Sequence, residues 1–141
     1  MKTVILTSVL LIAVFVNVFA QSTSEQAKVE VLSKSTTSWD GTALPNYPDG
    51  EPEITISKIT LPTGFQLPVH KHPIPLGGYI LSGELTVTRE DGKIHTAKAG
   101  ETLIELVDTW HFGKNEGDEP VVLIAFYIGI KDQPLSIPKE N

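Results

Sequence analysis

Histidines are the residues of this sequence best suited to chemistry. His70 and His72 are two residues apart. Residues two apart in a β-strand project from the same face, so this pair has the geometry of a two-imidazole metal site. His111 is a third candidate, in the later segment 109–115. The alternative is that each histidine is a surface or hydrogen-bonded residue, which is the usual role of a single histidine on a strand.

The elements that must position these histidines are predicted to be strands. Apolar residues alternate in short runs that are separated by Gly, Pro, Asn and Asp, which is typical of an all-β protein. Asp91 and Gly92 predict a hairpin turn, because this pair tolerates positive φ angles. Residues 121–130 are apolar on both faces, which predicts a strand buried between two layers. The predicted strands are 29–32, 37–39, 53–61, 66–72, 79–89, 93–99, 101–107 and 121–130.

The first twenty residues have the layout of a secretory signal peptide. Lys2 precedes an apolar run that ends at Ala20, and polar residues follow. We therefore expect cleavage before Gln21 and export to the periplasm or the exterior, with no membrane attachment afterwards. The alternative is an uncleaved membrane anchor, for which the run is at the short end of the necessary length.

Length, charge and cysteine content exclude several classes of function. A chain of 141 residues has room for one domain. Loss of Lys2 changes the formal charge from −6 to −7, which argues against nucleic acid or an anionic membrane as a partner. The sequence has no cysteine, which excludes disulfides, thiolate nucleophiles and zinc-thiolate sites.

Two segments carry residues at characteristic spacings: Gly64, His70, His72 and Gly83 in the first, and Gly100, His111 and Asn115 in the second. These two spaced motifs resemble those of the cupin superfamily. The chain is similar to small exported single-domain cupins of the quercetin dioxygenase-like kind. Three positions depart from the family pattern: Leu76 replaces a metal-binding Glu, Leu106 a Pro and Asp108 a Gly. Asp tolerates turn conformations, so the last change is mild.

The resemblance implies a small cupin β-barrel of the double-stranded β-helix type, with a metal near one mouth. The implied ligands are His70, His72 and His111, and the implied cofactor is one divalent transition metal: Fe, Ni, Cu, Co, Mn or Zn. It also implies a homodimer, for which we expect pairing through residues 29–40. The expected organisation is a signal peptide (1–20), N-terminal strands and a loop (21–52), the cupin barrel (53–131) and a loose C-terminal tail (132–141).

Glu105 is a further candidate for the site. It lies among apolar residues in the segment 102–107, which leads into the His111 segment. Burial of an unpaired carboxylate is costly, so the group should be protonated, hydrogen-bonded or bound to a cation. We hypothesise that Glu105 compensates for the missing motif carboxylate as a fourth ligand or as a base. The alternative is an edge position whose side chain reaches solvent.

Two classes of function fit these residues. The first is a metal-dependent dioxygenase-like enzyme that acts on a small organic molecule, because three imidazoles leave metal positions open. The second is a non-catalytic cupin that only binds a metal or a small molecule. The barrel does not distinguish them, because function belongs to the site and not to the fold.

Overall fold

The computed structural model describes residues 26–140. Contacts divide the chain into residues 1–30 and 31–141. The predicted signal peptide, residues 1–20, lies outside the described part. Within that part the prediction of an all-β protein is confirmed, and no helix there is long and apolar enough to span a membrane. The strands are β1 (Pro52–Leu61), β2 (His70–Lys71), β3 (Leu76–Ser82), β4 (Glu84–Arg89), β5 (Ile94–Lys98), β6 (Thr102–Ile104), β7 (His111–Asn115), β8 (Val121–Ile130) and β9 (Ile137–Pro138).

The strands form two antiparallel sheets around one apolar core. The first sheet has the order β1-β8-β3-β6, and the second has the order β5-β4-β7-β2-β9. Both sheets contribute to one buried cluster, for example Leu61 and Ile80 from the first sheet and Leu85 and Val87 from the second. Successive side chains of a strand point to opposite faces of its sheet, so the inward-facing side chains of both sheets fill the interior of the barrel.

Two motif residues have structural roles. Gly83 separates β3 from β4, which were predicted as one strand over 79–89. Its φ is 74°, and a Cβ there would lie 2.9 Å from the carbonyl oxygen of Pro120, so the bend requires glycine. Asn115 is fully buried, and its side-chain amide donates to the carbonyl oxygens of Leu61 and Glu119.

Several predicted strands are shorter than expected. Residues 29–32 form no strand, and Val29 and Val31 are 87% and 73% exposed. An apolar alternation becomes a strand only where a partner supplies hydrogen bonds. The predicted strand 37–39 is reduced to one bridge, Thr37 to Ala43.

Local chemistry explains two other corrections. The predicted strand 66–72 is a regular strand only at β2, because Pro68 lacks an N–H group for the ladder. The predicted strand 101–107 is a strand only over Thr102–Ile104, because beyond it the Leu106 amide donates to the Glu105 side chain at 2.9 Å and not to a neighbouring strand. Strand β8 matches its predicted bounds, but Phe126 and Ile128 are about two-fifths exposed, so one of its faces is not covered.

The C-terminal tail is ordered, contrary to expectation. Strand β9 pairs with β2, and the Lys139 amide donates to the carbonyl oxygen of Val69. The Leu135 side chain packs against a second apolar cluster that contains Tyr127. These contacts hold the tail beside the strand that carries His70.

Candidate metal centre

Strand pairing brings the three predicted histidines together. His70 on β2 lies directly opposite His111 on β7. His72 follows β2 and forms a parallel bridge with Val107. Their ring centroids are 4.7 to 5.2 Å apart, and one ligand atom from each lies within 4.8 Å of the others. We call these three residues the histidine triad.

A turn before β7 sets the position of His111. Asp108 adopts a φ of 49°, in the left-handed region that few residues other than glycine tolerate. Its backbone amide donates to the carbonyl oxygen of His72 at 2.8 Å, which ties the turn to the other half of the triad. The expectation that Asp can replace the motif glycine is therefore confirmed.

Backbone carbonyls fix the orientation of all three imidazoles. Each Nδ1 lies 2.7 or 2.8 Å from a carbonyl oxygen. A carbonyl only accepts, so each Nδ1 carries the proton and donates it, and each Nε2 of the neutral ring has a free lone pair. The accepting groups are the carbonyls of Pro68 for His70, Leu135 for His72 and Thr109 for His111.

Burial keeps these imidazoles neutral. It lowers the pKa of His70 and His111 below the ordinary value of 6.5, and it lowers the pKa of His72 to about 4. The triad is thus in its metal-binding protonation state at neutral pH.

His111 supplies a direct test of whether a metal fits. Its side chain is 1% exposed, and its Nε2 has no hydrogen-bond partner within residues 26–140. A buried polar atom without a partner costs about 1–3 kcal/mol. A divalent cation bound by the triad would satisfy this atom, so the residues present fit a metal.

Glu105 is buried beside the triad and does not reach solvent. Its Oε1 accepts hydrogen bonds from Trp39 Nε1 at 3.1 Å and from the Leu106 amide at 2.9 Å. The same oxygen lies 3.9 Å from Nε2 of His111. This contact is not an ion pair, because burial lowers the pKa of that imidazole and keeps it neutral. Burial raises the pKa of Glu105, and the two hydrogen bonds oppose this. The alternative of a solvent-facing edge position is therefore wrong.

The triad and Glu105 line a small inner chamber of about 70 Å³. That space holds only a few water-sized groups. Apart from the triad and Glu105, the only polar side chain that the structure places on its wall, within residues 26–140, is Tyr127. The ring centroid of Tyr127 lies 5.9 Å from that of His72.

Sequence reasoning missed the groups that support the triad. The Leu135 carbonyl is a backbone group in a segment without apolar alternation, so no side-chain pattern could reveal it. Trp39 was predicted only as part of a strand, although it binds a residue far away in the sequence. The fourth histidine, His95, lies outside the triad and stacks on Trp39 with ring centroids 5.3 Å apart.

Comparison of the sequence with family models finds one match. The model described as "Cupin domain" matches residues 57–127, which is half of the 141-residue chain. The match extends from β1 to β8 and includes the triad and Glu105. No protein of curated function is similar enough to match.

Solved structures with the same architecture include an uncharacterised double-stranded β-helix protein from Klebsiella pneumoniae. It is 20% identical, with a TM-score of 0.52, over 67% of this chain and 89% of that one. The DMSP lyase DddQ from Ruegeria pomeroyi is 19% identical, with a TM-score of 0.53, over 62% of this chain and 45% of that one. An oxalate decarboxylase from Bacillus subtilis with Mn(II) centres is 27% identical, with a TM-score of 0.49, over 60% of this chain and 23% of that one.

These similarities establish the fold and the family. The chain spans less than half of the lyase and of the decarboxylase, so their activities belong to those proteins. The family match covers half of the sequence, and the two antiparallel sheets agree with the Klebsiella structure. The chain belongs to the cupin family.

Proposed function

We propose that this chain is an exported metal-binding cupin that acts as a metal-dependent dioxygenase-like enzyme on a small organic molecule. The observation that carries the proposal is the convergence of the triad. Three carbonyl groups hold the three Nδ1 protons, so three Nε2 lone pairs are free, and that of His111 is buried with no partner in the described part of the chain. If these positions served only for packing, apolar residues would fill them better than three histidines.

The donor set limits the cofactor to one divalent transition metal. Neutral imidazole binds Fe, Ni, Cu, Co, Mn and Zn. Three protein ligands leave positions for water, oxygen or a substrate, and a bound metal would act there as a Lewis acid or redox centre. The inner chamber is large enough for a diatomic molecule or for the donor atoms of a substrate.

We propose Glu105 as a base beside the metal or as its fourth ligand. The backbone amide of Glu105 donates to the carbonyl oxygen of Leu76, the residue that replaces the motif carboxylate. A carboxylate therefore lies next to that position, on the neighbouring segment. The hydrogen bonds from Trp39 and Leu106 both fix Oε1, which lies near His111.

Histidine variants test the metal site. His70→Ala, His72→Ala and His111→Ala should each abolish stoichiometric metal in the purified protein, as measured by elemental analysis. His95→Ala is the matched control, because this histidine lies outside the triad and should leave metal content unchanged. Full metal occupancy in the His111→Ala protein would overturn the assignment.

Oxygen consumption tests catalysis separately. The iron- or nickel-loaded protein should consume oxygen with a flavonol or a similar enolisable substrate, and the His111→Ala protein should not. The second candidate function is a non-catalytic small-molecule or metal-binding cupin, which is favoured by Leu76 at the position of the motif carboxylate, because three neutral imidazoles can hold a metal without it. Binding of a broad panel without oxygen uptake would establish that alternative.

We also propose export and a homodimer. Cleavage before Gln21 is supported by the sequence pattern, and mass spectrometry of the native protein tests it. Dimerisation through residues 29–40 is supported by exposed apolar side chains in that segment and by a neighbouring groove of about 540 Å³ lined by Tyr47, Phe126 and Ile128. A sharp monomer in sedimentation at micromolar concentration would contradict the dimer.

A further inference from the structure

A second, larger chamber adjoins the inner one. It has a volume of about 250 Å³, and Ser136 and Pro138 of the C-terminal tail form part of its wall. Two histidines of the triad, His70 and His72, line both chambers, as does Tyr127. The chambers therefore share a boundary at which a bound metal would be reachable from either side.

The two chambers differ in chemistry. The inner chamber contains Glu105 and the whole triad, but has space for only a few atoms. Apart from His70, His72, Tyr127 and Ser136, the outer chamber is lined by apolar side chains, those of Ile59, Leu67, Pro68 and Pro138. Together they suit a molecule with a small polar end and an apolar body.

Tyr127 provides a free donor at the boundary. Its side chain is 7% exposed, and its hydroxyl forms no hydrogen bond with residues 26–140 and is not one of their fully buried unpaired atoms, so it is open to a ligand. Its ring is held by packing against Ile74, Leu76 and Leu135. Burial and the nearby Glu105 raise the pKa of Tyr127, so the phenol keeps its proton. A ligand oxygen at the boundary would satisfy this hydroxyl.

We propose that the ligand of this cupin spans both chambers, with a head of two oxygen donors at the triad and Tyr127, and an apolar body in the outer chamber under the C-terminal tail. The inference rests on the proposed metal site and names the ligand class of that site. The head must be small because the inner chamber is small, whereas the body is limited only by the open outer chamber. Tyr127 is a positioning residue for the head, and Ser136 faces the body.

Alkyl hydroxamates probe this arrangement because they combine a two-oxygen head with a tail of chosen length. Cobalt-loaded protein is titrated with acetohydroxamate, butanohydroxamate and hexanohydroxamate, and binding is followed by the visible absorption of cobalt. Each methylene that enters the outer chamber should tighten binding roughly fourfold. Cobalt content of each variant is measured independently by elemental analysis.

Two variants separate the head from the tail. Tyr127→Phe should weaken all three hydroxamates by about the same factor, roughly fivefold, because it removes one hydrogen bond to the head. Tyr79→Phe is its control, since Tyr79 lines neither chamber. Ser136→Phe fills the outer chamber and should remove the dependence on tail length, whereas Ser136→Ala should preserve it.

The possible failures are distinguishable. If the wild-type protein takes up no cobalt, the proposed metal site is wrong and the ligand inference falls with it. If cobalt binds stoichiometrically but affinity does not depend on tail length, the inference is overturned and the metal site stands. The inference is likewise overturned if Ser136→Phe keeps the full dependence on tail length, or if Tyr127→Phe binds all three hydroxamates as the wild type does.

Discussion

Removal of residues 132–141 should weaken metal binding about thirtyfold while the barrel stays folded. The deletion takes away the Leu135 carbonyl that accepts the Nδ1 proton of His72 at 2.7 Å. The net loss of one hydrogen bond costs about 1 kcal/mol. The freed imidazole must also be ordered again when metal binds, which costs about 1 kcal/mol more. About 2 kcal/mol corresponds to roughly thirtyfold in the dissociation constant, within the range of about 10–100-fold for lost outer-shell partners of metal ligands.

Competition with a chromophoric chelator measures this affinity, and circular dichroism verifies that the deleted protein retains its strands. Leu135→Ala is one control, because it keeps the backbone carbonyl and removes only packing against the cluster that contains Tyr127. It should lower the free energy of unfolding by about 1–2 kcal/mol and leave metal affinity nearly unchanged. Deletion of residues 139–141 is a second control, since it preserves both Leu135 and β9. A folded 132–141 deletion that binds metal as tightly as the wild type would refute the reasoning.

Three further perturbations test the site and the fold. Glu105→Gln should lower metal affinity by about tenfold or more, or should lower oxygen uptake by that factor when the metal site is fully occupied. If both measurements are unchanged, Glu105 has no part in the site. In the metal-free protein His72 alone should cost about 3 kcal/mol of stability as the pH falls from 7 to 4, because unfolded His72 gains its proton near pH 6.5 while burial holds the folded pKa at about 4; in urea unfolding His72→Asn should reduce the loss of stability by about this amount, and His95→Asn should not. Gly83→Ala should be more destabilising in thermal unfolding than Gly92→Ala, because both residues have positive φ angles but only the first Cβ would contact the Pro120 carbonyl; equal losses would contradict the role of that contact.

The triad was accessible to sequence reasoning because its spacing is a local property of strands. His70 and His72 face the same way although the regular strand there is only two residues long. The resemblance to cupins implied that His111 is a third ligand, and the register of β2 and β7, which places His111 opposite His70, explains how it reaches the other two histidines. Glu105 was recognised as anomalous because a carboxylate among apolar residues requires a partner when buried.

The long-range hydrogen bond that orients His72 could not be predicted from the sequence in the same way. The partner of His72 is a main-chain oxygen, and every residue has one, so its identity depends on where the tail runs. Strand β9 has only two residues, one of them Pro138, so it carries no alternation that predicts a strand. The exposed faces of Phe126 and Ile128 were predicted to be buried because apolar character alone does not reveal whether a second layer is present.

The replacement of the motif glutamate by Leu76 becomes understandable from its neighbours. Leu76 is 7% exposed and packs with Ile74, Ala125 and Tyr127, an environment that offers an apolar surface to the side chain. A carboxylate at residue 105 instead receives hydrogen bonds from the Trp39 indole and a backbone amide. A backbone hydrogen bond joins Glu105 to Leu76. The side chain of Glu105 therefore lies on the segment next to the motif position, where hydrogen-bond donors are present. If Glu105 serves the metal as we propose, the N-terminal segment that supplies Trp39 supports the site, and changes in that segment should affect Glu105 before they affect the triad.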